Sequence, residues 1–277
     1  MMNEYLDFKS LNLPQIPRNT TPQKAAEMLR EHWKIGNKPI DDIVYLVESN
    51  GLIVTDFATS TGDVDAFSHR IVCGEKETYL IGYSQNKKTA ARIHFDIAHE
   101  LGHILLHNWN EDLENIDKED FKDIEQEAHS FASAFLLPEK EFSEDVRPYA
   151  TNLAYYAELK KRWKVSIAAM IRRSKDLGII SNDDYSKLMR NMQKQGIRKV
   201  EPLDDELRTA EPSLLRQAIK ILFEENVFTP SEFLEELSTE YGLTIYSNDI
   251  ESILSLKEGT FNEEKQTKVF ISLKPKE

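Results

Sequence analysis

Apolar positions recur every three or four residues over most of this chain, as in amphipathic helices, and only a stretch between about 52 and 83 reads as strands. Thr21 can cap a helix whose first position suits Pro22, and Ala25, Ala26, Leu29 and Trp33 give that helix its apolar face. A second helix covers about 40–50, with Ile40, Ile43, Val44 and Val47 inward and Asn50-Gly51 as its stop. Strands are expected at 52–57 and 78–83 with a partner near 65–72, and Thr61-Gly62-Asp63 supplies a turn. Helices follow at about 88–108 and 118–137, the latter stopped by Pro138. Beyond 150 the pattern predicts helices at about 151–162, 166–177, 181–195, 212–225, 230–241 and 248–255, with short strands at 243–246 and 269–273. The fold class is therefore α+β and mostly helical: a small antiparallel or mixed sheet packed on the helix at 88–108, followed by an all-α C-terminal region.

Length and charge refine this outline. At about 150 residues per domain, 277 residues suggest roughly two domains. The charge change near 150 and the loop Glu201-Pro202-Leu203-Asp204-Asp205 are the natural breaks. They divide the chain into a weakly ordered lead-in at 1–20, a domain at 21–150, a basic helical region at 151–200 and a small helical domain at 201–277. The net charge of -13 argues against a surface that grips nucleic acid throughout. It is unevenly spread: residues 158–199 hold 12 Lys/Arg against 4 Asp/Glu, whereas residues 96–145 hold 15 acids against 3 bases. The single cysteine, Cys73, excludes an internal disulfide framework and a cysteine-rich zinc module. No apolar run approaches the ~20 residues of a spanning helix, and the first residues lack a secretory signal, so a cytoplasmic protein with no membrane contact is expected.

The chemistry is concentrated in His99-Glu100-x-x-His103. Four residues advance a helix by about 400°, so both imidazoles leave one face and can bind one metal ion. Glu100, at the edge of that face, can reach an attacking water as general base. A catalytic zinc takes three protein ligands and keeps an open position. His107 shares the stripe but lies about 12 Å from residue 99 along the helix, too far to ligate the same ion, which leaves it as a cap or packing residue. The third ligand must come from another helix. Glu125 shares the apolar face marked by Ala128, Phe131, Ala132, Phe135 and Leu136, and His129, four residues later, could orient a ligand through its ring N–H. Glu127 points away and is the weaker candidate, and both acids could instead be solvated. Zinc is the expected ion, with another divalent cation as the alternative.

These motifs resemble the ImmA/IrrE family of zinc metallopeptidases. The likeness rests on Arg30-x-x-Trp33, Asp65-Ala66-Phe67, Arg92-x-x-Phe95-x-x-Ala98-His99-Glu100-Leu101-Gly102-His103-x-x-x-His107 and Glu125-x-x-Ala128-x-x-Phe131-Ala132 ending in Leu136-Leu137-Pro138. Further on, Leu159-Lys160-x-Arg162-Trp163-x-Val165-Ser166, Arg173 and Glu201-Pro202 resemble longer members. The resemblance implies a zincin-like domain in which His99, His103 and Glu125 bind zinc and Glu100 is the base. It also implies site-specific cleavage of a helix-turn-helix repressor or antitoxin-like protein. The N-terminal helix-turn-helix domain of the XRE type, present in many relatives, is expected to be missing here. Asp96 stands where relatives often have Thr, and His129 where they have Asn or Asp. Tyr155, Tyr156 and His129 are candidate donors to a developing oxyanion.

The basic region reads as two helices around a short turn, with Arg172, Arg173 and Lys175 outward. Such a pair could contact DNA or a partner protein, although a solvated basic face is the favoured reading. The rival function is accordingly a non-hydrolytic regulator or antitoxin that acts by binding DNA or a partner.

Overall fold

Capping residues set the element boundaries in the computed structural model, which describes residues 2–57, 65–74, 76–85, 89–107 and 117–261. After a single turn, α1 (Met2–Tyr5), the chain runs extended to α2 (Pro22–His32), where the Thr21 hydroxyl accepts from Lys24 N and Pro22 fills the first turn. Asp42 caps α3 (Ile43–Glu48) through Tyr45 N at 2.9 Å. Gly51 then turns the chain at φ +84°, and a Cβ there would stand 2.4 Å from the Ser10 carbonyl oxygen, so only glycine fits.

Three strands follow: β1 (Ile53–Phe57), β2 (Ala66–Cys73) and β3 (Lys76–Ser84). Their order is β1-β3-β2, with β1 parallel to β3 and β2 antiparallel to it. The sheet is thus mixed, and β2 forms one edge. Thr89 caps α4 (Ala90–Leu106), and Asp117 caps α5 (Lys118–Leu136) by accepting from Glu119 N and Asp120 N. Then come α6 (Glu139–Val146), a 3-10 turn at Arg147–Tyr149, α7 (Leu153–Trp163), α8 (Ile167–Asp176) and α9 (Asn182–Lys194). The chain ends its described part with α10 (Leu214–Glu224), α11 (Pro230–Thr239) and α12 (Ser247–Ile253). The result is the expected mostly helical α+β fold.

The breaks expected near 150 and 201 do not divide the structure. Phe8–Leu214 form one compact unit, and a smaller one joins Met1–Asp7 to Leu215–Glu277. The reason is a shared core: Leu29, Ile81, Ile97 and Phe135 belong to the same buried cluster as Tyr156, Trp163, Ile171 and Met192. Burial of that apolar surface favours one unit whatever the charge of the outer faces. Residues 8–20 are also more than a lead-in. Asn12 N donates to Asn50 O at 2.9 Å, Trp33 Nε1 donates to Asn12 O at 2.7 Å, and Leu11, Leu13 and Ile16 pack against the core. The smaller unit has its own core of Ile219, Leu222, Phe233, Ile250, Leu254 and Phe261. Residues 243–246, expected as a strand, are irregular; the strand at 269–273 and the turn at 61–63 lie outside the described residues.

Two buried guanidinium groups meet the C-terminal end of α5. Arg30 donates from Nε to Gly36 O at 2.6 Å and through its other nitrogens to the carbonyls of Phe135 and Lys38. Arg173, expected on the outer face of α8, is instead 7% exposed and donates to Leu137 O at 3.1 Å and Gln23 Oε1 at 2.7 Å. Carbonyls at a helix C-terminus lack partners within the helix and carry its negative end, which draws both cations inward. Arg172 stays on the surface, paired with Asp176 at 3.0 Å, and Lys175 lies over the Tyr185 ring at 5.0 Å. Among the described residues no helix is long and apolar enough to cross a membrane.

Candidate metal centre

The site is built where α4 crosses α5, and the closeness of that crossing depends on Gly102. A Cβ on Gly102 would lie 3.0 Å from Ala128 Cα and 3.2 Å from Ala128 O, so small residues on both helices let the backbones approach. The approach brings the donor groups of three residues together. His99 Nε2 and His103 Nε2 are 3.0 Å apart, Glu125 Oε2 is 3.3 Å from the first, and Glu125 Oε1 is 3.2 Å from the second. These residues form the metal-capable cluster found among the described residues.

The residues fit a zinc ion on two grounds. Ligands at about 2.0–2.1 Å around a tetrahedral zinc stand about 3.3–3.4 Å from one another, close to the separations of 3.0, 3.3 and 3.2 Å seen here, the last two to different oxygens of Glu125. The chemistry of the donor set agrees. Burial, followed by the neighbouring histidines, lowers the pKa of His99 to about 3 and that of His103 to about 4, so both rings stay neutral and keep a lone pair. The Glu125 side chain remains 35% exposed, which leaves one side of the triangle open.

Glu100 is 7% exposed, on the neighbouring face of α4. Burial raises its pKa to about 7, against the Ser68 hydrogen bond that lowers it, with Glu125 and Asp96 adding to the rise. Ser68 Oγ donates to Glu100 Oε2 at 2.6 Å. Arg92 links the strand region to this helix by pairing with both Asp65 and Asp96, the latter at 3.0 Å. The sequence reading missed Ser68, although strand alternation from Ala66 puts residues 66 and 68 on one face of β2.

The other candidates separate clearly. His107 is the C-cap of α4, its N–H bonded to His103 O at 3.1 Å, and it does not join the triangle. Its ring lies behind His103: Nδ1 is 3.0 Å from His103 Nδ1, and Nε2 is 3.2 Å from Glu127 Oε2. Glu127 therefore faces His107 and not the donor atoms. His129, expected to orient a ligand through its ring N–H, makes ring contacts with His99 at 4.6 Å and Phe95 at 5.4 Å and is exposed. Tyr156 is fully buried with its hydroxyl on Ala150 O at 2.8 Å, and Tyr155 donates to Asp145 O at 2.8 Å. Of the three candidate oxyanion donors, only His129 stands beside the His99, His103 and Glu125 cluster.

Comparison with known families meets this geometry directly. Residues 50–175 match the model of the IrrE N-terminal-like domain, the M78 peptidases. Residues 50–175 thus form a domain of the ImmA/IrrE type. The matched segment contains the whole site, from Ser68 on β2 through α4 to Glu125 and His129 on α5, and it makes this a peptidase-type domain. No curated protein matches the chain.

Proposed function

We propose that this ImmA/IrrE-type protein is a zinc-dependent endopeptidase that cuts a regulatory protein at a defined site, with Glu100 as general base. The observation that carries the reading is the convergence of His99, His103 and Glu125 from two helices, beside a buried glutamic acid. Zinc bound by those three residues would supply Lewis acidity to the attacking water and the scissile carbonyl. The chain's own groups do the rest. Ser68 fixes one oxygen of Glu100, leaving Oε1 to take the proton of the attacking water. A carboxyl tuned to about 7 can accept that proton near neutral pH and return it to the leaving amine. His129, exposed against His99, supplies a ring N–H toward the carbonyl oxygen as negative charge builds there. The family resemblance supports a helix-turn-helix repressor or antitoxin-like protein as the substrate class.

Elemental analysis of the full chain supplied with zinc tests the reading. About one zinc per chain is expected in wild type and in Glu100→Gln, and none in Glu125→Ala. Zinc-loaded wild type added to a lysate of the source organism should create a discrete new protein N-terminus, and Glu100→Gln should slow its appearance by about 10²–10⁴-fold. Absence of stoichiometric zinc in wild type would overturn the peptidase reading in favour of a non-hydrolytic regulator.

A further inference from the structure

We infer that His107 and Glu127 are positioning residues of the metal centre: together they fix the ring of His103 so that its Nε2 lone pair points at the ion. The inference rests on the three-ligand reading above and extends it to two residues outside the triangle.

A carboxylate only accepts hydrogen bonds, so the His107 Nε2 that lies 3.2 Å from Glu127 Oε2 carries a hydrogen and donates it. In a neutral imidazole the other nitrogen then holds a lone pair. His107 Nδ1 is therefore the acceptor in its 3.0 Å contact with His103 Nδ1, and the hydrogen of that contact belongs to His103. With an ion bound among His99, His103 and Glu125, His103 Nε2 is a ligand, and the one hydrogen of its ring sits on Nδ1, where His107 accepts it. One carboxylate, acting through one intervening ring, thus selects the tautomer a metal ligand needs. A carboxylate or carbonyl behind a ligating histidine performs the same task in one step. Here the task takes two, because α4 continues for a full turn beyond His103 before its C-cap supplies the intermediate ring.

His99 shows what the arrangement adds. Its Nδ1 is buried and has no hydrogen-bond partner among the described residues. Its ring is held between Phe95 and His129, at centroid distances of 6.4 and 4.6 Å. Packing therefore fixes one ligand and hydrogen bonds fix the other, and only His103 has its tautomer set from behind.

The test uses zinc dissociation constants of the full-length protein, measured by competition with a chromophoric chelator. Glu127→Leu and His107→Phe should each weaken zinc binding by about 10–100-fold, and Glu127→Gln, which keeps an acceptor, by less than Glu127→Leu. The Glu127 side chain is 53% exposed, so the melting temperature of the metal-free Glu127→Leu protein should equal that of wild type. In the double variant Glu127→Leu should add nothing to His107→Phe, because Glu127 reaches the ligand only through that ring. Nitrogen-15 NMR of the zinc-loaded protein should show His107 protonated at Nε2 in wild type and as a tautomer mixture in Glu127→Leu. Zinc affinity of Glu127→Leu within twofold of wild type, or an equal loss from Glu127→Leu in both backgrounds, would overturn the inference while leaving the three-ligand reading intact. Absence of zinc binding by wild type would instead remove the metal-centre reading itself.

Discussion

Lys160, Glu201 and Asp204 form one cluster of polar side chains in the larger unit, and His99, His103 and Glu125 form another. In the first, Lys160 is fully buried with Nζ 2.7 Å from Glu201 Oε2 and 2.6 Å from Asp204 Oδ1. Glu201 also accepts from Ile167 N and Ala168 N at the start of α8, and its own N–H is taken by Asp204 at 2.8 Å. Each donor atom there meets an acceptor, and the Glu201 carboxylate sits at the positive end of α8. In the second cluster two neutral ring nitrogens and a carboxylate turn toward one another, with lone pairs converging on a single point. Ring hydrogens can satisfy only part of that convergence, and a cation at its centre would satisfy all of it. Compensated charge marks a fastener in this fold; uncompensated convergence marks a site.

The difference can be broken from either side. Lys160→Met leaves the buried Glu201 carboxylate and the half-buried Asp204 carboxylate without their shared cation and should lower the unfolding free energy by about 3–5 kcal/mol in denaturant titration. A loss below about 1 kcal/mol would mean that the cluster behaves as a screened surface pair. Gly102→Ala acts on the other cluster without touching a ligand. Its Cβ must displace the α5 backbone by a few tenths of an ångström, so a loss of about 1–3 kcal/mol is expected, together with weaker zinc binding. Unchanged zinc affinity would show that the donor triangle tolerates separation of the helices. The smallest effect should come from His99→Leu in the metal-free protein. It replaces a half-buried ring with an unpartnered buried nitrogen by an apolar side chain, and stability should fall by no more than about 0.5 kcal/mol or rise. A loss above about 2 kcal/mol would make His99 part of the packed core and erase the contrast.

Much of this was legible in the residues, for identifiable reasons. Helix spans such as Ala90–Leu106 and Lys118–Leu136 follow from apolar periodicity and from Thr89 and Asp117 as caps. Helical rise and angle bring His99 and His103 to one face and keep His107 from joining them, and the apolar face of the next helix favours Glu125 over Glu127. What escaped the sequence depends on tertiary partners. Arg173 and Lys160 look like members of a basic surface, yet both are buried by partners distant in sequence: the Leu137 carbonyl for one, Glu201 and Asp204 for the other. The break expected at 150 failed for a related reason, since charge describes the outer face of α7 and α8 and says nothing of the Trp163 and Ile171 beneath it. Ser68 and the Glu127–His107 pair needed side-chain directions that spacing does not supply.

The two guanidinium groups on α5 bear on what counts as the minimal folding piece. Arg30 lies twenty residues upstream of the segment that matches the family, and Met192 in the same core lies beyond its end. A fragment trimmed to 50–175 would keep every proposed ligand but lose α2 and α9, so it would expose the apolar faces those helices cover and lose one of the two cations on the end of α5. The chemistry fits inside the matched segment; the scaffold that holds α5 against α4 does not.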